Sequence, residues 1–306
     1  MQITGSVVAV TGAANGIGAA LARRFSAEGA RLVILADLDE DGVRGIAASI
    51  AAEGGCAVAT ACDVAREADV RAIAELAKAE AGPIDLFCSN AGIMVTGDPM
   101  SPDADWQSAW NVNVMAHVYA ARAVLPDMLA RGSGYLLNTC SAAGLLTSLG
   151  AAPYAASKHA AVAFSEWLAI TYGPRGIGVS ALCPMVVRTK MIEDAIASGA
   201  GGAVSSGGAM LEPDLVAGQV VEALAEQRFL ILTHPETQQF AERKIADVDR
   251  WIGGTTPRVT GSMRPSACTA RERGVQSGMA SLRAVAFPNG YTQVCRPARG
   301  AQASRV

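Results

Sequence analysis

Tyr154 and Lys158 stand four residues apart in Tyr154-Ala155-Ala156-Ser157-Lys158, which puts both on one face of a helix. A buried ammonium beside a phenol favours the phenolate and lowers the tyrosine pKa. Such a tyrosine can act as general base toward an alcohol near neutral pH. Lysine is scarce in this chain, occurring only at Lys78, Lys158, Lys190 and Lys244. Ser141 precedes Tyr154 by 13 residues and ends an apolar run, where its hydroxyl could orient a substrate oxygen. Taken alone, Tyr-x-x-x-Lys is more often a surface pair, so its weight rests on its surroundings.

A second group of residues has the chemistry of a phosphate and ribose site. The apolar run VVAVT (7–11) leads into Gly12-Ala13-Ala14-Asn15-Gly16-Ile17-Gly18. Glycines here permit positive φ and let the backbone approach a pyrophosphate at the next helix N-terminus. The spacing is GxxxGxG, and by itself it weighs evenly against a plain strand–helix turn. Asp37 ends the next apolar run, 19 residues after Gly18. A carboxylate there accepts from both ribose hydroxyls and repels a 2′-phosphate. Asn15 and Leu38 supply no compensating cation, so the pattern predicts NAD over NADP. The competing reading of Asp37 is a solvated turn acid beside Asp39, Glu40 and Asp41. Asp63 could face an adenine amino group with Val64 on the ring; an N-cap for a helix starting near Arg66 explains it equally well. Asn90-Ala91-Gly92 ends a further run and would pass close to a cofactor ribose, although alone it is only a turn signal.

These residues need a scaffold that brings strand ends together. Apolar runs at 7–11, 31–37, 56–63, 84–90, 135–141, 177–184 and 228–233 read as strands. Helical spacing occupies 17–28, 40–53, 66–80, about 104–130, 154–172 and 213–226. The strands are nearly continuous apolar runs, so both faces are covered. Their alternation with helices predicts an α/β fold with a doubly wound, mostly parallel seven-stranded sheet. Ligands then belong at the carboxyl ends of the strands.

The 306 residues carry a net charge of −3, a pI near 5.7 and a mean hydropathy of +0.27. That balance gives no support to nucleic-acid binding and excludes disorder over the whole chain. No apolar run approaches a membrane span, and the N-terminus carries no secretory signal pattern. Seven cysteines without CxxC fit reduced thiols and a cytoplasmic protein. Three histidines without HExxH spacing argue against a metal centre. Residues 255–306 hold eight arginines and one acid, a local charge of +7 that leaves −10 on 1–254. We therefore expect a catalytic, dinucleotide-binding domain over 1–254 and a basic, irregular extension over 255–306.

In this order and spacing, TGAANGIG (11–18), Asp37, Asp63, NAG (90–92), Asn113, Ser141 and YAASK (154–158) resemble the short-chain dehydrogenase/reductase family over about residues 5–253. The resemblance implies a tetrad. Tyr154 is the proton acceptor in alcohol oxidation and donor in ketone reduction. Lys158 binds the nicotinamide ribose and depresses the tyrosine pKa, Ser141 positions the substrate oxygen, and Asn113 holds a relay water. Asn111 competes for that last role, but the family's Val-Asn pattern selects Asn113. Val187 and Thr189 match the family's carboxamide contacts, while Met185 stands where the family usually has glycine. If that position requires positive φ, methionine is strained there; otherwise its side chain narrows the pocket. A homodimer or homotetramer follows on family grounds, with Trp106, Trp110, Val118, Phe164 and Trp167 on the helices concerned.

The segments expected around a small-molecule substrate are 93–98, 142–153 and 189–212, which supply Met94, Leu145, Leu146, Leu149, Met191 and Ile192, with Met185 beside them. They predict an apolar pocket and a hydrophobic secondary alcohol or ketone. The glycine-rich 198–209 reads equally as a lid or a surface linker. Two alternatives stand beside the NAD-dependent dehydrogenase: an NADPH-dependent carbonyl or 3-oxoacyl reductase, and a catalytically idle dinucleotide-binding sensor or scaffold.

Overall fold

A computed structural model describes residues 1–197, 208–255, 284–286 and 292–294. Seven strands form one sheet: β1 (Val7–Thr11), β2 (Leu32–Asp37), β3 (Ala57–Ala61), β4 (Leu86–Ser89), β5 (Gly134–Thr139), β6 (Ile177–Cys183) and β7 (Leu230–Leu232). Their order is β3-β2-β1-β4-β5-β6-β7, and every pairing is parallel. The order reverses between β1 and β4, which opens a crevice beyond their carboxyl ends.

Neighbouring residues on a strand point to opposite faces, so a strand covered on both sides needs an unbroken apolar run. In β1, Val8 and Val10 join a core with Leu21, Phe25, Val43 and Val220. These come from α1 (Gly16–Ala27), α2 (Glu40–Ala52) and α9 (Pro213–Ala225). Val7 and Ala9 join the opposite core with Val70, Ile73, Val124 and Leu168. Those belong to α3 (Glu67–Glu80), α5 (Ala116–Arg131) and α7 (Ala152–Tyr172).

The long helix expected over 104–130 is two helices. α4 (Asp103–Trp110) joins α5 through a π turn at Asn111–Met115. The i→i+5 bonding of that turn has no hydrophobic period to betray it. Four further helices lie outside the helical spacing expected from the sequence: α6 (Ala143–Leu146), α8 (Lys190–Ala197), α10 (Pro235–Ala246) and α11 (Val248–Thr255). No described helix is long and apolar enough to cross a membrane. Most of the glycine-rich 198–209 lies outside the described residues, as does most of 255–306. In that last segment the backbone of β8 (Ala284–Ala286) pairs antiparallel with β9 (Thr292–Val294).

Candidate functional site

A cavity of about 350 Å³ lies along the carboxyl ends of the strands. Much of its wall comes from strand ends and the turns that follow them, with further residues from α7, α8 and α11.

At β1, Thr11 Oγ accepts from the backbone N–H of Asn90 at 3.0 Å and of Ala91 at 3.2 Å. The Asn90 amide donates to the carbonyls of Thr11 (3.0 Å) and Gly12 (3.3 Å). Its oxygen accepts from Thr139 Oγ at 3.0 Å. Asn90 therefore ties the ends of β1, β4 and β5 together. Gly12, Asn15, Gly16 and Ile17 line the cavity, but Gly18 does not. A Cβ on Gly18 would stand 2.0 Å from the Gly12 carbonyl oxygen, so its glycine is required for packing beneath the turn. Gly16 has φ +54, and a Cβ there would meet Thr189 at 2.9 Å. The first amides of α1 lack helical partners and face this turn, the usual arrangement for an anion.

Asp37, Leu38, Asp63 and Val64 line the far end with Cys62. Asp37 accepts from the N–H of Ala14 (3.0 Å) and of Asp39 (3.1 Å), which fixes its carboxylate at the rim. Asp63 accepts from Ala65 N–H at 2.9 Å. Burial, then Asp69, Asp63 and Asp37, push the Cys62 thiol up to about 12. This end of the cavity therefore disfavours negative charge.

Ser141, Tyr154 and Lys158 converge near the middle. All three are buried. The Tyr154 phenol lies beside the Ser141 hydroxyl, which itself accepts from Ala143 N–H at 3.1 Å, and Lys158 Nζ sits 5.8 Å from the tyrosine ring centroid. Lys158 donates to the Thr139 carbonyl at 3.0 Å. Burial pushes the Tyr154 phenol above its ordinary value, opposed by Ser141 and reinforced by the buried thiols Cys140 and Cys183. The expected lowering is thus absent from the protein alone, because desolvation dominates. Burial likewise lowers Lys158.

Asn113 is fully buried but stands behind the wall, not on it. Its Oδ1 accepts from Ile93 N–H at 3.0 Å; its Nδ2 donates to Ile93 O (3.0 Å) and Ser157 Oγ (3.1 Å). Asn111 instead accepts from Gln107 on the outer side of the turn. A Cβ on Gly92 would stand 3.2 Å from Asn113 Oδ1 and 3.4 Å from Lys158 Nζ.

Ala91, Gly92, Met94, Leu149, Met185, Val187, Thr189 and Met191 all line the cavity. Leu145 does not: α6 turns it into the cluster of Cys140, Ala161 and Val162, and Leu146 faces the cavity instead. Met185 is unstrained, since Thr147 and Gln227 are the non-glycine residues with positive φ among those described. Trp251 and Thr255 of α11 also line the cavity and were not anticipated. A tryptophan 93 residues after Lys158 gives no spacing signal.

Among the described residues, the charged ones lining the cavity are Asp37, Asp63 and Lys158. A nicotinamide dinucleotide fits this donor set. Glycines leave room at the turn, free amides face a pyrophosphate position, a carboxylate stands at a ribose position, and a buried ammonium has donor capacity beyond its one bond to Thr139.

Residues 6–198 match the family model described as short chain dehydrogenase. The chain is 36% identical over 262 residues to the 1-deoxy-11-beta-hydroxypentalenate dehydrogenase of Streptomyces exfoliatus, covering 84% of this chain and 93% of that protein. It is 36% identical over 192 residues to the meso-2,3-butanediol dehydrogenase of Serratia marcescens, covering 62% and 75%. A solved short chain dehydrogenase/reductase from Burkholderia phymatum, in complex with NAD, superposes with a TM-score of 0.75 at 31% identity, covering 82% and 96%.

Proposed function

The chain belongs to the short-chain dehydrogenase family of NAD(P)-dependent CH–OH oxidoreductases, and from that premise we propose that it interconverts hydrophobic secondary alcohols and ketones using NAD. The observation that carries the reading is the Ser141–Tyr154–Lys158 grouping, buried midway between an acidic cavity end and an apolar one.

When bound, the nicotinamide accepts or gives the hydride. Tyr154 takes the hydroxyl proton in oxidation and returns it in reduction. Lys158 stabilises the phenolate by its charge, and the oxidised ring adds a second positive charge that offsets burial. Ser141, beside the phenol, offers its hydroxyl to the substrate oxygen. Asn113 holds Ile93 against α7 and supports a relay water beside Lys158, in the space that the bare Cα of Gly92 leaves open. Asp37 and the negative field felt by Cys62 favour a free ribose hydroxyl over a 2′-phosphate. Val187 and Thr189, which line the cavity, would hold the carboxamide. Met94, Leu149, Met185 and Met191 surround an uncharged substrate.

We take residues 1–254 as the catalytic unit, with Thr255 at its edge lining the cavity, and 256–306 add nothing to the chemistry. Trp110 and Trp167 are exposed on α4 and α7, in keeping with a homodimer or homotetramer. Four of five described cysteines are buried thiols, in keeping with a cytoplasmic setting.

Parallel fluorescence titrations with NADH and NADPH test the cofactor. Tighter NADH binding supports the reading, and apolar secondary alcohols are then screened with NAD, using Tyr154→Phe as the inactive control. Tighter NADPH binding overturns the assignment to NAD and redirects the screen to carbonyl reduction.

A further inference from the structure

The helices α10 and α11 are packed onto the substrate end of the cavity. Trp251, only 7% exposed, forms one apolar cluster with Ala142, Leu146 and Phe240, against which Met185 packs. Ala142 is the residue after Ser141, so this cluster begins one residue beyond the serine hydroxyl. The Trp251 and Phe240 rings lie 6.4 Å apart at 46°, joining α11 to α10. Lys244 Nζ, also on α10, donates to the Leu145 carbonyl at 2.6 Å and fastens the pair to α6. Met185 also packs in a second cluster, of Val186, Ile192 and Ala195, on the other side. Among the described residues, no charged side chain lines this end.

We infer that α10 and α11 form the outer wall of the substrate subsite and that Trp251 sets its size limit for uncharged alicyclic ketones and alcohols. The inference rests on the apolar-substrate reading above. A large rigid indole, backed by Phe240 and tied through Lys244, cannot yield to a second fused ring without shifting both helices. Removing the indole leaves a recess bounded by the apolar side chains of Leu146, Phe240 and Met185, which can accept an apolar ring.

The test is calorimetric titration of cyclohexanone and of 2-decalone into the full-length protein loaded with NAD. A ketone has no hydride to receive from NAD, so the heat reports binding alone. Trp251→Ala should raise the ratio of 2-decalone to cyclohexanone affinity at least about tenfold. Trp251→Phe, which keeps an aromatic ring against Phe240, should raise it by a smaller factor, about threefold. The NAD dissociation constant should stay within about twofold of wild type, since Trp251 packs with Ala142, Leu146 and Phe240 and not with the glycine turn or Asp37. An unchanged ratio in the variants that bind NAD overturns the inference and leaves the apolar-substrate reading standing. Binding of neither ketone by wild type or variants that bind NAD overturns both. If Trp251→Ala does not fold, Trp251→Phe decides alone by the same ratio.

Discussion

The ammonium of Lys158 donates to the carbonyl oxygen of Thr139 at 3.0 Å and so ties α7 to the end of β5. One contact fixes the cation and uses a single one of its three protons. The remaining donors serve the chemistry. Lys158→Met should lower kcat by about 10²–10⁴-fold while the far-ultraviolet circular dichroism stays that of wild type. A variant equally depleted in activity and in helix signal would mean the lysine acts only through the fold.

Tyr154 is pushed above the ordinary tyrosine value of 10.0, chiefly by burial. Ultraviolet difference titration of the cofactor-free protein should contain a late phenolate transition that Tyr154→Phe abolishes. Oxidation needs the phenolate, so its kcat/KM should rise with pH. Reduction needs the phenol, so its kcat/KM should fall over the same range. Parallel pH profiles in both directions check this.

His117 is wholly buried, with Nδ1 2.8 Å from Ser89 Oγ and Nε2 without a hydrogen-bond partner among the described residues. Burial, with help from the Lys158 charge, lowers it from the ordinary 6.5 to about 3. The unfolded chain therefore takes up this proton first. The stability this gives is fully present above pH 6.5 and is lost as the pH falls toward 3. Urea unfolding across that range should give a wild-type slope steeper than that of His117→Gln by about 1.4 kcal/mol per pH unit. Equal slopes would remove His117 from the acid sensitivity.

Asp37 holds two backbone amides, and an asparagine oxygen can keep one of them. Asp37→Asn removes the charge with little change of shape. The ratio of NADPH to NADH affinity should rise about tenfold or more. Titration of both nucleotides against the variant measures it. An unaltered ratio would show that the carboxylate is a turn acid without influence on the ribose.

Much of this architecture is legible in the sequence because burial on both faces of a parallel sheet leaves unbroken apolar runs such as VVAVT. The residues at the ends of those runs, Thr11, Asp37, Asn90 and Ser141, then mark the rim of the crevice. Tyr154 and Lys158 are legible because helical spacing fixes their common face. Leu145 and Leu146 are adjacent and chemically alike, and packing against Val162 decides which one meets the cavity. Trp251 reaches the cavity through contacts between distant parts of the chain, with Phe240, Met185 and Leu146, which no local pattern encodes.

The π turn between Trp110 and Ala116 carries one more residue than an α-helical path would. Each α-helical residue turns the chain by about 100°, so removing one from Asn111–Met115 would rotate α4 against α5 by about that angle. Asn113 could then no longer meet Ile93 and Ser157 while Trp110 kept its outward azimuth. The segment behaves as a phase adjuster between two helices that each have their own partners. Side chains at 112, 114 and 115 can be exchanged for others of similar volume, whereas the residue count there cannot change.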